Sequence, residues 1–493
     1  METVLAFVQG LMVVALPVNL LLLVIGITVG MIIGTIPGIS AASGIALLVP
    51  LTHTFGLAPE SALILYAGVY YGSKYAGRIP AILLDIPGDV SSLATRFDGY
   101  PLAMAGQAGR ALALTAVSSF VGGTLAIVVL ILIGGLFAEV GNIFGPAEYV
   151  ALIMFVFVLV LTLSAAPLLR TLTSLCLGLM MSVVGLDWAT GVFRYTSTIP
   201  ELYDGIDFII VVIGVFTLSE AFLLVEQAVI DRKAPAVMKY HGLLAECLRL
   251  KWSLFRSSLI GTLIGLLPGA GTYVANLAAY RFEKKMARDR ELFGKGDPRG
   301  LISPEAANSA CAFGAFFPLM ALGIPGSATT AVLHGTLLLM NVDPGPDFCR
   351  NHPEIIWALI ASMALGNILL LVANIKLARF FSKLLAVPGW VVMPMIVVVS
   401  FVSVYTVSPS MISLLLMVII GFFAYGLRKF HYPLAPLILG YVLGKPFEDN
   451  FRLALAISGG DGWVLLQSGT AFTLWMCILL GVLIKMAVIR KGR

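Results

Sequence analysis

The sequence predicts an all-α polytopic membrane protein with about 10–12 transmembrane segments, an inverted internal repeat, and re-entrant or Pro-Gly-interrupted helices. Three observations support this prediction. Only 12% of the residues are charged while 59% are apolar, and the mean hydropathy is +1.00. Apolar runs of membrane-spanning length recur along the chain. Two Pro-Gly motifs also occur in the same order in each half.

The composition excludes several other classes of protein. A typical soluble domain has about 25% charged residues, so this chain has too few charges to cover a water-facing surface. Its formal net charge of +5 is too small for a nucleic-acid binder. Its five cysteines lack the Cys-x-x-Cys spacing of zinc and redox sites. We therefore expect a lipid bilayer around most of the chain and no nucleic-acid partner.

Apolar runs of roughly 20 residues, the length that crosses a bilayer, predict the membrane helices. They cover 11–33, 58–73, 111–136, 147–166, 171–186, 206–230, 354–375, 389–406, 410–427 and 463–486. The first run is too long for the apolar part of a signal peptide, so we expect it to be retained. Shorter pieces, about half of a span, lie at 40–52, 255–267, 272–280 and 327–341.

Polar stretches divide the chain into regions. Residues 231–253 are predicted to be a cytoplasmic linker between a first transmembrane repeat, 1–230, and a second, 254–493. Residues 281–300 form a predicted cytoplasmic loop inside the second repeat. This loop holds seven basic residues, which the positive-inside rule assigns to the cytoplasm, and the basic segment 490–493 is assigned there too.

The two halves share a pair of motifs. The segment 30–38, which ends in Pro-Gly, matches 261–269 at an offset of 231, and 80–88 matches 318–326 at an offset of 238. Residues 249–299 carry ten Lys or Arg, whereas the equivalent stretch 18–61 carries none. The flanks of the two copies therefore face opposite sides, as in the inverted repeats of secondary transporters. The piece 255–280, with basic flanks and a central Pro-Gly, is predicted to be re-entrant.

Each Pro-Gly pair interrupts a helix, because proline lacks a backbone donor and glycine permits unusual dihedral angles. In lipid such a break persists only where it is buried in protein or lines a polar cavity. The half-helix after it offers N–H groups that suit an anion, while hydroxyls and freed carbonyls suit sodium. The candidate substrate- or ion-binding residues at the breaks are Gly38, Ser40, Ser43, Pro87, Gly88, Ser91, Ser92, Gly269, Gly271, Thr272, Pro325, Gly326, Ser327 and Thr329. The alternative is that these small residues only allow close helix packing.

Ionisable residues in the apolar regions of the first copy are further candidates. Lys74 and Arg78 are four positions apart, so on one helix they share a face and could pair with carboxylates such as Asp85. The alternative treats residues 88–110 as an amphipathic segment at the membrane interface, with Asp89, Arg96 and Asp98 solvated.

In the second copy, Asn308 is a candidate hydrogen-bonding ligand, whereas Glu305 could equally be an acid at the start of a helix. The chain lacks the P-loop, zinc-peptidase and serine-hydrolase motifs. We therefore expect neither an enzyme nor a structural metal site. The only ligands expected are an anion and a coupling ion, Na⁺ or H⁺, and we expect Na⁺ near the Pro-Gly breaks.

These segments resemble the large membrane (permease) subunit of the tripartite tricarboxylate transporters. The resemblance is carried by residues 34–38, 70–72, 82–89, 98–101 and 119–123, and by 267–271, 293–296, 304–308, 322–327 and 344–346. They follow the family's order along nearly the whole chain. Three positions depart from the usual residues: Arg78 stands for Ser, Asp85 for Asn and Ser309 for Asn. The changes add a cation and an anion near the candidate site.

The resemblance implies a multi-pass permease of the bacterial inner membrane that imports tricarboxylates or related carboxylates with a cation gradient. It also implies two partners, a small membrane subunit and a periplasmic solute-binding protein that delivers the substrate, and no cofactor. One alternative is the membrane subunit of an ATP-driven importer, since residues 305–307 (Glu-Ala-Ala) are similar to the coupling loop of such subunits. A passive anion channel is the other alternative.

Overall fold

The computed structural model describes residues 2–36, 38–86, 88–135, 144–197, 199–226, 240, 242–385 and 389–491. Helices account for most of this part of the chain, and strands for very little of it, which confirms the predicted all-α class. Six helical segments there are long and apolar enough to cross a membrane, as expected of a multi-pass protein. They are Pro17–Thr35, Thr95–Leu132, Pro146–Leu163, Phe208–Glu226, Pro353–Leu377 and Met411–Lys429.

The helices before the linker are α1 (Glu2–Val14), α2 (Pro17–Thr35), α3 (Ala41–Thr54), α4 (Pro59–Ala76), α5 (Arg78–Leu84), α6 (Thr95–Leu102), α7 (Ala108–Leu132), α8 (Pro146–Leu163), α9 (Leu168–Ser182), α10 (Phe208–Val212) and α11 (Ser219–Glu226). A π-helical turn joins α10 to α11. Between α9 and α10 the strands β1 (Gly185–Asp187) and β2 (Val192–Arg194) pair as an antiparallel hairpin, with Leu186 opposite Phe193.

The later helices are α12 (Leu243–Arg249), α13 (Lys251–Gly265), α14 (Gly271–Met286), α15 (Pro298–Gly314), α16 (Phe316–Leu322), α17 (Ala328–Leu339), α18 (Pro346–Asn351), α19 (Pro353–Leu384), α20 (Gly389–Val407), α21 (Met411–Lys429), α22 (Leu434–Ile457), α23 (Val464–Gln467) and α24 (Gly469–Lys491). Of the predicted linker, residues 231–239 and 241 lie outside the described residues, and the remainder contains α12 and the start of α13. The predicted loop 281–300 is shorter in the structure, because α14 extends to Met286 and α15 begins at Pro298.

Two apolar runs are not the single helices that the sequence predicted. The run 11–33 is divided because Leu16 adopts an extended ψ of 137° before Pro17, which opens α2 without needing a backbone donor. The side-chain amide of Asn19 donates to the Val13 carbonyl (2.8 Å) and satisfies the end of α1. The run 463–486 is similarly divided at Ser468, whose ψ of 143° separates α23 from α24.

The two copies are built on the same helix-packing contact. A Cβ on Gly30 in α2 would lie 2.3 Å from the carbonyl oxygen of Val69 in α4. A Cβ on Gly261 in α13 would lie 2.3 Å from that of Ala307 in α15. Gly261 and Ala307 are the residues that the offsets of 231 and 238 pair with Gly30 and Val69. Direct contact between backbones therefore holds each broken helix against its neighbour.

The second break also has one conformation in both copies. Asp85 ends α5 in the left-handed region (φ 61°, ψ 25°), and Gly323 ends α16 in the same region (φ 65°, ψ 20°). The N–H of the next residue donates to the carbonyl of Pro80 (3.3 Å) in one copy and of Pro318 (3.1 Å) in the other. These bonds satisfy carbonyl groups that the interrupted helices would otherwise leave free.

We expect Gly30→Ala to destabilise the protein, because the added methyl would overlap the Val69 carbonyl and overpacking costs about 1–3 kcal/mol. Thermal unfolding of the detergent-purified protein measures the change. Gly426→Ala on α21 is the matched control, since a Cβ there meets nothing within 4 Å. An unchanged melting temperature for Gly30→Ala would contradict the packing argument.

Candidate functional site

The centre of the candidate site is Lys74, in the last turn of α4. Its side chain is 7% exposed, and its ammonium pairs with the carboxylate of Asp89, just after the second break. The ammonium lies 3.2 Å from Ser91 Oγ, which donates to an Asp89 oxygen at 3.1 Å. The ring of Tyr70, one turn earlier, lies 5.7 Å from the ammonium. A buried lysine thus faces the loop that the break creates.

The second copy reaches the same lysine. Thr272 Oγ1, in the first turn of α14, lies 3.4 Å from Lys74 Nζ. Cys311 on α15 is within electrostatic range of both Lys74 and Tyr70. The Tyr70 hydroxyl lies beside Ser327, which is the N-cap of α17. Residues that follow two of the four breaks therefore contact the ammonium group, and Ser327, which follows another break, lies beside the neighbouring Tyr70.

Two buried side chains beside this centre lack partners. Asn308 on α15 is fully buried, and within the described residues neither atom of its side-chain amide is hydrogen-bonded. It lies one turn before Cys311 on the same helix face. The Ser92 hydroxyl, in the loop after the second break, is likewise buried and unpaired in the described chain. An unpaired buried polar group costs about 1–3 kcal/mol, so these atoms suit a bound ligand or water.

Glycines bring the breaks close together. A Cβ on Gly326 would lie 3.9 Å from the Gly269 nitrogen, which places the two breaks of the second copy in contact. A Cβ on Gly88 would lie 2.7 Å from the carbonyl of Gly34, at the end of α2. Gly38 and Gly269 both have positive φ, 94° and 79°, which only glycine adopts readily.

At the first break an internal carboxylate occupies the start of the half-helix. Glu220 on α11, which is buried, accepts the Ser40 N–H (3.0 Å) and the Ser43 hydroxyl (2.5 Å). Arg428 at the end of α21 donates to its other oxygen (2.9 Å). Sequence reasoning missed Glu220, although an acid inside the apolar run 206–230 was the available signal.

Arg78 lies in a fully buried network that joins the copies. It donates to Ser119 Oγ (2.5 Å), the Thr115 carbonyl (3.0 Å) and Asn374 Oδ1 (3.1 Å). Glu305 Oε2 lies 3.4 Å from the guanidinium, and neither side chain is more than 1% exposed. Glu305 is in the middle of α15, which begins at Pro298, so the helix-start interpretation of this acid is wrong.

Asp85 lies at the edge of the site. Its carboxylate is 3.6 Å from Arg96, and about a third of each side chain is exposed (36% and 35%). An exposed pair of this kind contributes at most about 1 kcal/mol. The departure at Asp85 from the family pattern thus lies apart from the buried Lys74 and Arg78.

Asp98 holds the loop between α14 and α15. One of its carboxylate oxygens accepts the N–H groups of Gly294 (2.8 Å), Gly296 (2.9 Å) and Asp297 (2.8 Å). The other accepts the Tyr280 hydroxyl (3.1 Å). Consecutive N–H groups of this kind form an anion-binding nest. Asp98 is fully buried, so its interpretation as a solvated interfacial residue is wrong.

Several other predicted site residues lie at helix starts or are buried within the fold. Ser327 forms a capping box with Thr330, and Thr329 is buried. Gly271 (φ 70°) opens α14, and a Cβ there would meet nothing within 4 Å. Pro87 lies outside the described residues. In the part of the chain that the structure describes, no group of three or more His, Cys, Asp or Glu is placed to hold a metal ion.

A cavity of about 960 Å³ adjoins the second copy's last break. Leu322 and Gly323 form part of its lining, as do His334 on α17 and Lys445 on α22. His334 is buried, and its Nδ1 has no partner among the described residues. Sequence reasoning missed the cavity, because the residues that line it are far apart in the chain.

An ion network attaches the β-hairpin to the cavity. Asp187 pairs with Arg452 (3.0 Å), Arg452 with Glu448 (2.7 Å), and Glu448 with Arg194 (3.1 Å). A hydrogen bond donated by Thr190, together with the Arg452 pair, holds the pKa of Asp187 at about 2. The hairpin is therefore fixed to α22 at any physiological pH.

We expect Arg78→Met to cost about 3–5 kcal/mol, because it leaves the Glu305 carboxylate buried without its cation. The double variant Arg78→Met/Glu305→Gln should recover part of that loss. Thermal unfolding in detergent measures both. Lys429→Met is the control, since its pair with Glu226 is exposed (48% and 47%) and is screened by solvent, so its loss should change the melting temperature little. A single Arg78 variant as stable as the control would refute a structural role.

We expect Asp98→Ala to loosen the segment 293–297. Hydrogen bonds to a charged acceptor contribute about 1.5–3 kcal/mol each, so tryptic cleavage after the exposed Lys295 should accelerate at least about tenfold. Cleavage is followed in inside-out vesicles. Asp289→Ala, in the same connection, is the control and should leave the rate unchanged. Equal cleavage rates for both variants would show that the Asp98 hydrogen bonds do not hold this segment in place.

Comparison with known proteins identifies the family. The model of the tripartite tricarboxylate transporter TctA family matches residues 20–439. An Agrobacterium vitis protein described as an uncharacterized 52.8 kDa protein in the TAR-I ttuC' 3' region is 35% identical over 459 residues, 93% of this chain and 91% of its own. A second, in the TAR-II ttuC' 3' region, is 35% identical over 227 residues, 45% of this chain and 94% of its own. No solved structure matches. The resemblance seen in the sequence is confirmed, and the chain belongs to the tripartite tricarboxylate transporter TctA family.

Proposed function

We propose that this protein is the permease subunit of a secondary-active importer of tricarboxylates or related carboxylates, coupled to Na⁺ or H⁺. The observation that carries the proposal is the meeting of interrupted helices from both copies around Lys74 and the unpaired Asn308. A half-helix start and a buried ammonium both favour a carboxylate. Gly271 leaves the start of α14 open in front of this centre.

The charge balance of the site supports cation coupling. Its basic side chains are already matched by acids: Lys74 by Asp89, Arg78 by Glu305 and Arg96 by Asp85. A multiply charged anion that entered this neutral set would face an uncompensated desolvation cost. Co-transported cations would supply the missing charge. A true inverted repeat would place this exchange near the middle of the bilayer.

The cavity supports entry from the side opposite the basic loops. The positive-inside rule assigns the loop between α14 and α15 and the basic end of α21 to the cytoplasm. Tyr432, just before α22, contacts Arg170 in the first turn of α9, so this end of α22 is cytoplasmic too. Glu448 and Arg452 lie toward the other end of α22. We therefore assign the cavity and its hairpin to the periplasm of a bacterial inner membrane, where a solute-binding protein would deliver substrate.

An ATP-driven importer is less well supported. Its membrane subunit needs an accessible cytoplasmic loop to couple to the ATPase, whereas Glu305, Ala306 and Ala307 are fully buried inside α15. The family name implies a tripartite assembly, so we also propose a small membrane subunit as partner. The passive channel differs from the proposal only in that it could not concentrate its solute.

The proposal is tested by uptake into proteoliposomes with the partner subunits and no ATPase. We expect accumulation of one or more of citrate, malate, succinate and tartrate when a sodium or proton gradient is imposed. Asn308→Ala and Ser327→Ala should raise KM by about tenfold, the loss of one hydrogen bond to a charged group, without loss of membrane insertion. Glu226→Gln, which removes an exposed acid paired with Lys429, is the control. Uptake that only equilibrates would indicate a channel, and unchanged kinetics in both variants would reject the site.

A further inference from the structure

We propose that Asp89 and Ser92 form a sodium site, and that sodium bound there releases Lys74 to bind a carboxylate of the substrate. Only the second part of this inference, the binding of a substrate carboxylate by Lys74, rests on the proposed function. The Asp89 carboxylate, which belongs to the chain itself, is bound to the Lys74 ammonium. The substrate would therefore compete with Asp89 for the same ammonium.

Lys74 is the cation of the site that is best placed for such an exchange. Arg78 is fixed by several acceptors and by Glu305 in a fully buried network. Arg96 pairs with Asp85 where both are about a third exposed. Lys74 is buried, yet among the described residues its neutral hydrogen-bond partners are just the hydroxyls of Ser91 and Thr272, at 3.2 and 3.4 Å. A compact ammonium with rotatable donors can turn from one carboxylate to another.

Asp89 can give up this pairing without a large rearrangement. It lies in the loop after the break and not on a helix, and its side chain is 23% exposed. Glu305, in contrast, has no exposed surface. Of the two acids paired with buried cations, only Asp89 borders open space.

The exchange needs a new cation beside Asp89. Two carboxylates about 4 Å apart repel each other by about 4 kcal/mol at an effective dielectric constant near 20. The substrate would therefore bind weakly while Asp89 stayed uncompensated. A cation on Asp89 removes this repulsion, and substrate binding then strengthens cation binding by the same factor.

The surrounding oxygens favour sodium as that cation. Ser92 Oγ is buried and has no partner among the described residues, although its own N–H donates to the Asp89 carbonyl (2.9 Å). A Cβ on Gly77 would lie 3.4 Å from the same hydroxyl, so it faces the junction between α4 and α5. Ser91 Oγ, at 3.1 Å from Asp89 Oδ2, adds a third oxygen. A carboxylate with two hydroxyls is a set of hard ligands that suits an alkali cation.

Sodium itself is the probe of this site. Thermal unfolding of the purified protein is compared in NaCl and KCl of equal ionic strength, since a ligand that binds only the folded state raises the melting temperature. We expect a sodium-specific rise for the wild type that Asp89→Asn and Ser92→Ala abolish. In Lys74→Met the sodium concentration at half-maximal effect should fall by about tenfold, because Asp89 has lost a charged hydrogen-bond donor.

Glu226→Gln is the matched control, because Glu226 also pairs with a lysine, Lys429, but in an exposed position (47% and 48%). It should keep the full sodium response. A sodium response that Asp89→Asn leaves intact, or no response in the wild type, would overturn the proposal. If Lys74→Met fails to fold, the sodium responses of Asp89→Asn and Ser92→Ala still test the proposal. A sodium response that depends on Asp89 without uptake of any carboxylate would keep this site and reject the proposed function.

Discussion

A peptide group in hydrocarbon has no water to bond, so each interrupted helix in this protein must find its partners within the chain. The structure meets this requirement locally. The left-handed Asp85 and Gly323 turn the following N–H back onto a proline carbonyl. At the first break, Glu220 accepts the donors that open α3. In the described part of the chain, the buried side chains of Asn308 and Ser92 have no hydrogen-bond partner, so these atoms suit a bound ligand.

Close helix contact and charge pairing then fix the breaks around one point. Glycine faces in α2 and α13 bring the backbones of α4 and α15 so near that no side chain separates them. The Arg78–Glu305 pair ties the copies together inside the protein, and breaking such a pair is far more costly than forming it is favourable. The Lys74–Asp89 pair is different, because one partner sits in a loop. The Arg78–Glu305 pair is therefore rigid, whereas the neighbouring Lys74–Asp89 pair has one partner that can move.

Much of the fold followed from the sequence because membrane helices are marked by length and apolarity. The repeat was visible as well, since Pro-Gly pairs at fixed offsets carry their own backbone conformation. Within the site, Lys74 and Asn308 were found as polar residues in apolar surroundings. Glu220 was overlooked because its partners, Ser40 and Arg428, lie about two hundred residues away on either side, beyond any local pattern. The role of Asp98 was left open between a functional acid and a solvated one for the same reason, because its donors belong to the other copy.

The hydrogen bonds that Asp98 accepts from the loop between α14 and α15 have a consequence for biogenesis. Its three backbone donors lie 196 to 199 positions further along the chain. During translation the first half must therefore enter the membrane with this acid unsatisfied. The donors arrive only when the ribosome has made the second half. Neither copy can finish folding alone, so insertion and final assembly of this permease are separate events.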